Sequence, residues 1–237
     1  MSNLPEKPKA PPASSAVQAF LGKVQAMPAL RPANGRRGRL VFAMDATASR
    51  QPSWDRACQL QAEMFLATRE LGGLAVQLAY YRGFRELAAT PFLADAAELT
   101  RRMTGVTCLG GQTQIGRMLQ HVLNETQRER VNALVFVGDA LEEALDPLCH
   151  LAGQLGLHGT PVFVFHEGAE PVAADGFRQI AKISGGAYAP FDAGAAGALA
   201  ALLRAVAVFA AGGRAALVRL PGAPAQQLAG QLPAPRG

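Results

Sequence analysis

Cysteine is scarce in this chain, and what little there is excludes several chemistries. Cys58, Cys108 and Cys149 are odd in number, form no CxxC pair and have no histidines at zinc-ligand spacing. A disulfide framework and a zinc centre are therefore not expected, and free thiols fit a reducing, cytoplasmic setting. The four histidines, His121, His150, His158 and His166, are scattered and share no ligand spacing. No Gly-x-Gly-x-x-Gly follows the first apolar run, which argues against dinucleotide binding. The N-terminus, rich in Pro, Lys and Ser, lacks the apolar core of about 7–15 residues that a secretory signal needs. One long apolar stretch exists, residues 193–213, but Arg204 interrupts it and its Ala and Gly residues contribute little transfer energy, so a packed terminal helix is expected and not a membrane span.

Apolar residues, by contrast, make up 49% of the 237 residues against 17% charged, enough for one sizeable core. The formal net charge of +5 is concentrated at one end. Residues 1–40 carry seven bases (Lys7, Lys9, Lys23, Arg31, Arg36, Arg37, Arg39) against Glu6, a net of +6, which leaves 16 bases and 17 acids, a net of −1, for the remainder. The folded body is thus nearly neutral, and the basic arm reads as a solvated terminus; no nucleic-acid partner is expected.

Along the chain, residues 1–12 read as a disordered basic tail, and residues 13–37 as a helix and linker in which Val17, Phe20, Leu21 and Val24 form one apolar face. Arg39–Asp45 is an apolar run ending in an acid, the pattern of a strand buried on both faces. A helix over about 54–71, a strand over 74–81 and a short antiparallel strand over 84–87 follow. Helix 93–103, helix 114–128, strand 132–139, helix 146–157, strand 161–165, helix 175–183, strand 187–189 and helix 195–210 complete the alternation. That order predicts an α/β fold: a Rossmann-like three-layer α/β/α sandwich, its central sheet mostly parallel with one antiparallel edge strand. The main domain spans residues 38–213, and residues 214–237 read as a Pro/Gly-rich C-terminal tail with one short strand, AALVRL, before disorder.

In such sheets ligands sit beyond the carboxyl ends of the strands. Three segments there carry oxygen donors. Asp45-Ala46-Thr47-Ala48-Ser49 follows the first strand, Gly110-Gly111-Gln112-Thr113 precedes the middle helix, and Gly138-Asp139 ends the fourth strand. Two carboxylates and three hydroxyls, with no His or Cys among them, suit a hard cation, Mg²⁺ or Mn²⁺. A strand-terminal Asp also caps turns, and Thr113 could serve as a helix N-cap, a role compatible with ligation.

These three motifs, in this order, resemble the metal-ion-dependent adhesion site of von Willebrand factor A domains, and Ile180–Tyr188 resembles that family's penultimate helix and Gly-Gly turn. The resemblance covers about residues 38–211. It places the DxSxS motif on Asp45, Thr47 and Ser49, the loop threonine on Thr113 and the last aspartate on Asp139. Thr47 replaces the usual Ser, and Ala140 stands where many members have Gly. What the resemblance implies is recognition: the cation bridges to a Glu or Asp carboxylate supplied by a protein partner. Bacterial cytosolic members accompany chaperone-like or AAA-type ATPase complexes, among others. Trp54, five residues after Ser49, and Gln112 are assigned as partner contacts, with core packing the competing role for Trp54. Glu142 and Glu143 read as a solvated helix start. A magnesium-dependent hydrolase of the haloacid-dehalogenase kind would need DxDxT after the first strand; Thr47 occupies the place of its second Asp, so the general acid is missing and no enzyme is expected. A metal-independent scaffold is the remaining alternative.

Overall fold

The computed structural model describes residues 37–60, 62–68, 73–192 and 196–234. The expected basic tail over 1–12, and the expected helix and linker over 13–37 apart from residue 37, lie outside them. Among the described residues six strands, β1 (Gly38–Asp45), β2 (Leu74–Arg82), β3 (Glu86–Ala89), β4 (Ala133–Gly138), β5 (Val162–Glu167) and β6 (Tyr188–Phe191), form one sheet in the order β3-β2-β1-β4-β5-β6. All pairings are parallel except β2 with β3. The mostly parallel sheet with an antiparallel edge is as the alternation predicts.

β1 is buried at every position but Arg39, because helices cover both faces. Its side chains alternate between two cores, Leu40, Phe42 and Met44 facing one and Val41 and Ala43 the other. The first core is closed by α1 (Gln51–Leu60), α2 (Ala62–Thr68), α3 (Ala96–Thr104) and the long α7 (Ala196–Arg219) with α8 (Ala223–Gln231). The second is closed by α4 (Ile115–Arg128), α5 (Leu145–Leu157) and α6 (Pro171–Ser184). In α4, Ile115, Met118, Leu119, Val122 and Leu123 are buried, one stripe at helical spacing.

Local chemistry moves several boundaries from their expected places. Gly83, at φ 56, makes the turn after β2, so β3 starts at Glu86 and not at Phe84. Leu93 bridges to Val76 as an extended residue, and Asp95 caps α3 by accepting from the Glu98 N–H at 2.8 Å. α6 begins four residues earlier than expected because Glu170 caps it, accepting from Val172 and Ala173, with Pro171 in its first turn.

The C-terminal segment departs most from expectation. Residues 214–219 are helical, not a strand, and complete α7 beyond a kink at Gly213, whose φ is 69. α8 follows in place of the expected disorder, with Ala225, Leu228 and Ala229 buried. Beyond α8's packing, Gln231 acts on the sheet edge: its side-chain Oε1 accepts from the Tyr188 N–H and its Nε2 donates to the Tyr188 carbonyl, both at 2.9 Å. One amide thus satisfies both outward backbone groups of Tyr188 at the start of β6, where a further strand could otherwise add. α7 is long and apolar enough to cross a membrane by length and composition, but Leu199, Leu203, Val206 and Ala207 are fully buried in the first core.

Candidate cation site

The strand order reverses at β1, with β2 on one side and β4 on the other, so the carboxyl ends of β1 and β4 open a crevice. Asp45 is the last residue of β1, and Asp139 follows β4 directly. The pairing of Met44 with Val137 brings these two ends level. The loop before α4 supplies the third wall. A cavity of about 220 Å³ there is lined by Asp45, Thr47, Ser49, Thr113 and Asp139, together with Gly110, Gly111 and Glu142. All five oxygen-bearing residues singled out in the sequence therefore face one space.

Each is held in place. The Asp45 Oδ1 accepts from the Thr47 N–H at 2.7 Å, and Oδ2 accepts from the Tyr81 hydroxyl at 3.2 Å. Ser49 Oγ donates to Asp139 Oδ2 at 3.0 Å and lies 3.5 Å from Thr47 Oγ1. Thr113 is tied to the β4–α5 loop from both sides: its N–H donates to the Glu142 carboxylate at 2.9 Å, and its Oγ1 accepts from the Glu142 N–H at 3.2 Å. Its hydroxyl does not cap α4; the cap position is Gln114 and the helix starts at Ile115. Glu143 does that work instead, accepting from the Ile115 and Gly116 N–H groups at 2.6 and 2.8 Å. Glu142 and Glu143 thus reach across to α4 and are not the solvated start of their own helix.

Gly111 explains how the rim closes. A Cβ there would stand 2.0 Å from the Gly83 carbonyl oxygen, so only glycine lets the loop meet the β2–β3 turn. Gln112 is exposed on this rim, its N–H donating to Gly83 O at 3.3 Å. Beside it, Phe84 is 73% exposed and Leu109 45%, two apolar side chains on adjoining turns. Trp54 is different: it is 1% exposed, and its Nε1–H donates to the Met103 carbonyl at 3.0 Å. The expected partner contact is corrected to a core residue joining α1 to α3.

Electrostatically the cavity asks for a cation. Burial pushes the Asp45 carboxyl above its ordinary value; the Thr47 hydrogen bonds pull it back, the Asp139 charge raises it further and Arg50 lowers it. Tyr81 is pushed well up, first by burial and then by the Asp45 charge, so it stays a hydrogen-bond donor. Behind Asp139, His166 is fully buried and pushed below its ordinary value by that burial. As a neutral ring its Nε2–H donates to the Asp139 carbonyl at 3.3 Å while Nδ1 accepts from the Tyr188 hydroxyl at 2.9 Å, which fixes the Asp139 peptide.

A residue the sequence reading passed over is Arg50. It is 1% exposed, its Nη1 lies 3.7 Å from Asp139 Oδ2, and its Nη2 pairs with Glu167 at the end of β5. Arg50 stands behind Asp139 and does not line the cavity, so the space between the two aspartates stays open. Its position directly after the DATAS run was the available signal. The Glu167 partner, 117 positions away, had none.

Among the described residues no group of three or more His, Cys, Asp or Glu side chains could hold a metal. The present donor set relies on hydroxyls for its other ligands. That set fits a hard divalent ion: Asp45 and Asp139 match its charge, and Thr47, Ser49 and Thr113 offer neutral oxygens. There is no His–hydroxyl pair on the cavity wall to activate a nucleophile and no second carboxylate at position 47.

No family model matches the sequence, and no curated protein does. Solved structures do. A von Willebrand factor type A protein from Catenulispora acidiphila superposes with a TM-score of 0.60 at 15% identity, covering 75% of this chain and 43% of that one. The VWA domain of SpRpn10 gives 0.51 at 10% identity over 66% of this chain and 89% of that one. Proximal thread matrix protein 1 from the mussel byssus, with a zinc-occupied MIDAS motif, gives 0.56 at 15% identity over 71% of this chain and 45% of that one. The chain therefore has the von Willebrand factor A fold, the fold that the sequence motifs resemble. It spans less than half of the Catenulispora and mussel chains.

Proposed function

We propose that the chain is a divalent-cation-dependent protein-binding module, in which Asp45, Thr47, Ser49, Thr113 and Asp139 hold Mg²⁺ or Mn²⁺ and the cation takes a Glu or Asp carboxylate from a partner. The observation that carries this reading is the convergence of five oxygen donors, from three separate segments, on one open cavity. A hard cation with few direct protein ligands keeps water on its remaining positions, and a carboxylate can replace one of them. Exposed Phe84, Leu109 and Gln112 give the rim a surface on which the partner's neighbouring residues can rest. A chaperone-like or AAA-type ATPase complex is the partner class that the family resemblance suggests. Thr47 at the position where a hydrolase of the haloacid-dehalogenase kind needs its general acid supports binding over catalysis.

Binding of native-lysate proteins, compared for wild type and Asp45→Ala in Mg²⁺ and in EDTA, tests the proposal. A partner recovered only by wild type in Mg²⁺ is the expected result. Recovery indifferent to both changes would support the metal-independent scaffold, a reading that the internal cation Arg50 beside Asp139 keeps in view.

A further inference from the structure

Arg50 is a buried guanidinium with two carboxylates competing for it. Its Nη2 meets Glu167 as an ion pair, whereas its Nη1 stops 3.7 Å from Asp139 Oδ2, beyond hydrogen-bond length. Among the described residues neither its Nε nor its Nη2 has a hydrogen-bond partner, so Glu167 holds the guanidinium by charge alone and the group is not locked by a full set of acceptors. Glu167, in turn, is anchored by the hydroxyl of Ser53, itself 1% exposed. An arginine that near a ligand carboxylate is a rival to any divalent ion seeking the same oxygen, the more so because the guanidinium itself is buried. Something must keep the guanidinium off Asp139.

We infer that Glu167 is that positioning residue: it draws Arg50 away from Asp139, and the Arg50–Glu167 pair thereby sets the affinity of the cavity for a divalent cation. The inference rests on the cation-binding reading above. Charge bookkeeping agrees with it. Setting aside Glu142, whose carboxylate also lines the cavity and is engaged by the Thr113 N–H, Asp45, Asp139 and Glu167 against Arg50 leave a net of −2. Neutralising Glu167 alone leaves −1 and frees Arg50 to close on Asp139. Removing both members of the pair returns the net to −2 with Asp139 unopposed.

The test is Mn²⁺ affinity, measured on the full chain by titration with electron paramagnetic resonance of the free ion, alongside urea unfolding to verify that each variant is folded. Glu167→Gln is expected to weaken Mn²⁺ binding about 10–100-fold, the range for losing a group that orients a ligand. Arg50→Met combined with Glu167→Gln is expected to recover affinity to within about threefold of wild type, a rescue that general damage to the fold would not produce. Glu167→Asp, which keeps the charge but withdraws it by one methylene, is expected to fall between wild type and Glu167→Gln and serves if the latter does not fold. If wild type binds Mn²⁺ and both single substitutions at Glu167 bind equally well, or if the double variant stays as weak as Glu167→Gln, the role assigned to Glu167 is wrong while the cation site stands. If wild type itself binds no Mn²⁺, the cation site fails and this inference with it.

Discussion

Replacing Gln231 with Ala should destabilise the domain measurably, although the residue lies in a segment whose composition looks like a tail. The side-chain amide makes two hydrogen bonds of 2.9 Å to the backbone of Tyr188, and Tyr188 is only 8% exposed. Each such bond contributes about 0.5–1.5 kcal/mol net, so the loss is about 1–3 kcal/mol. For a domain near 200 residues, about 2 kcal/mol corresponds to a fall in Tm of about 4–8 °C. Urea unfolding followed by the fluorescence of Trp54, the only tryptophan, reads the change directly, since Trp54 is buried in the same core that α8 covers. Gln227→Ala is the control: its exposed side chain should cost within about 0.5 kcal/mol. Light scattering should also show more association of Gln231→Ala, because the freed edge of β6 can pair with another strand. Equal midpoints for the two variants, with neither associating, would refute the assignment of α8 as an edge cover.

Further outcomes follow from the site and its supports. Trp54→Phe loses the hydrogen bond to the Met103 carbonyl and part of the indole's packing, a cost of about 1–3 kcal/mol in urea unfolding; Mn²⁺ affinity should stay within about twofold, and a weakened ion with unchanged stability would restore Trp54 to the rim. Gly111→Ala places a Cβ against the Gly83 carbonyl and must push the loop outward, so Mn²⁺ affinity should fall about tenfold or more by the same titration. Asp45 has a raised folded-state value, so without metal the folded protein holds more protons than the unfolded chain, and stability should decline as pH rises from the ordinary carboxylate range through that raised value. Asp45→Asn should remove this decline and raise the Tm in EDTA, whereas added Mg²⁺ should raise the Tm of wild type alone. Flat thermal unfolding across that pH range for wild type in EDTA would contradict the desolvation account.

The strands and the donor set were legible because each is written locally. β1 from Leu40, β4, and β5 up to Phe165 are uninterrupted apolar runs, and Asp45 and Asp139 mark the ends of two of them. What escaped was written across distance or against composition. Tyr81 supports Asp45 because parallel pairing sets the two residues side by side, a register that no single segment encodes. Arg50 and Glu167 meet only because β5 lies next to β4 in the sheet. The C-terminal helices hide behind breakers that turn out to sit where helices tolerate them: Gly213 takes the kink in α7, and Pro224 falls in the first turn of α8, where its missing N–H would have had no intrahelical partner. Trp54 was ambiguous for a different reason, since a large aromatic near a site serves equally in a core or at an interface, and only its burial decides.

The most direct measurement is an anomalous difference map from crystals grown with Mn²⁺. The account predicts one strong peak in the cavity between β1 and β4, with oxygens of Thr47, Ser49 and Thr113 and at least one of the two aspartates at about 2.0–2.3 Å or through a shared water. A map without density there at saturating Mn²⁺, with Arg50 turned onto Asp139 in its place, would contradict it.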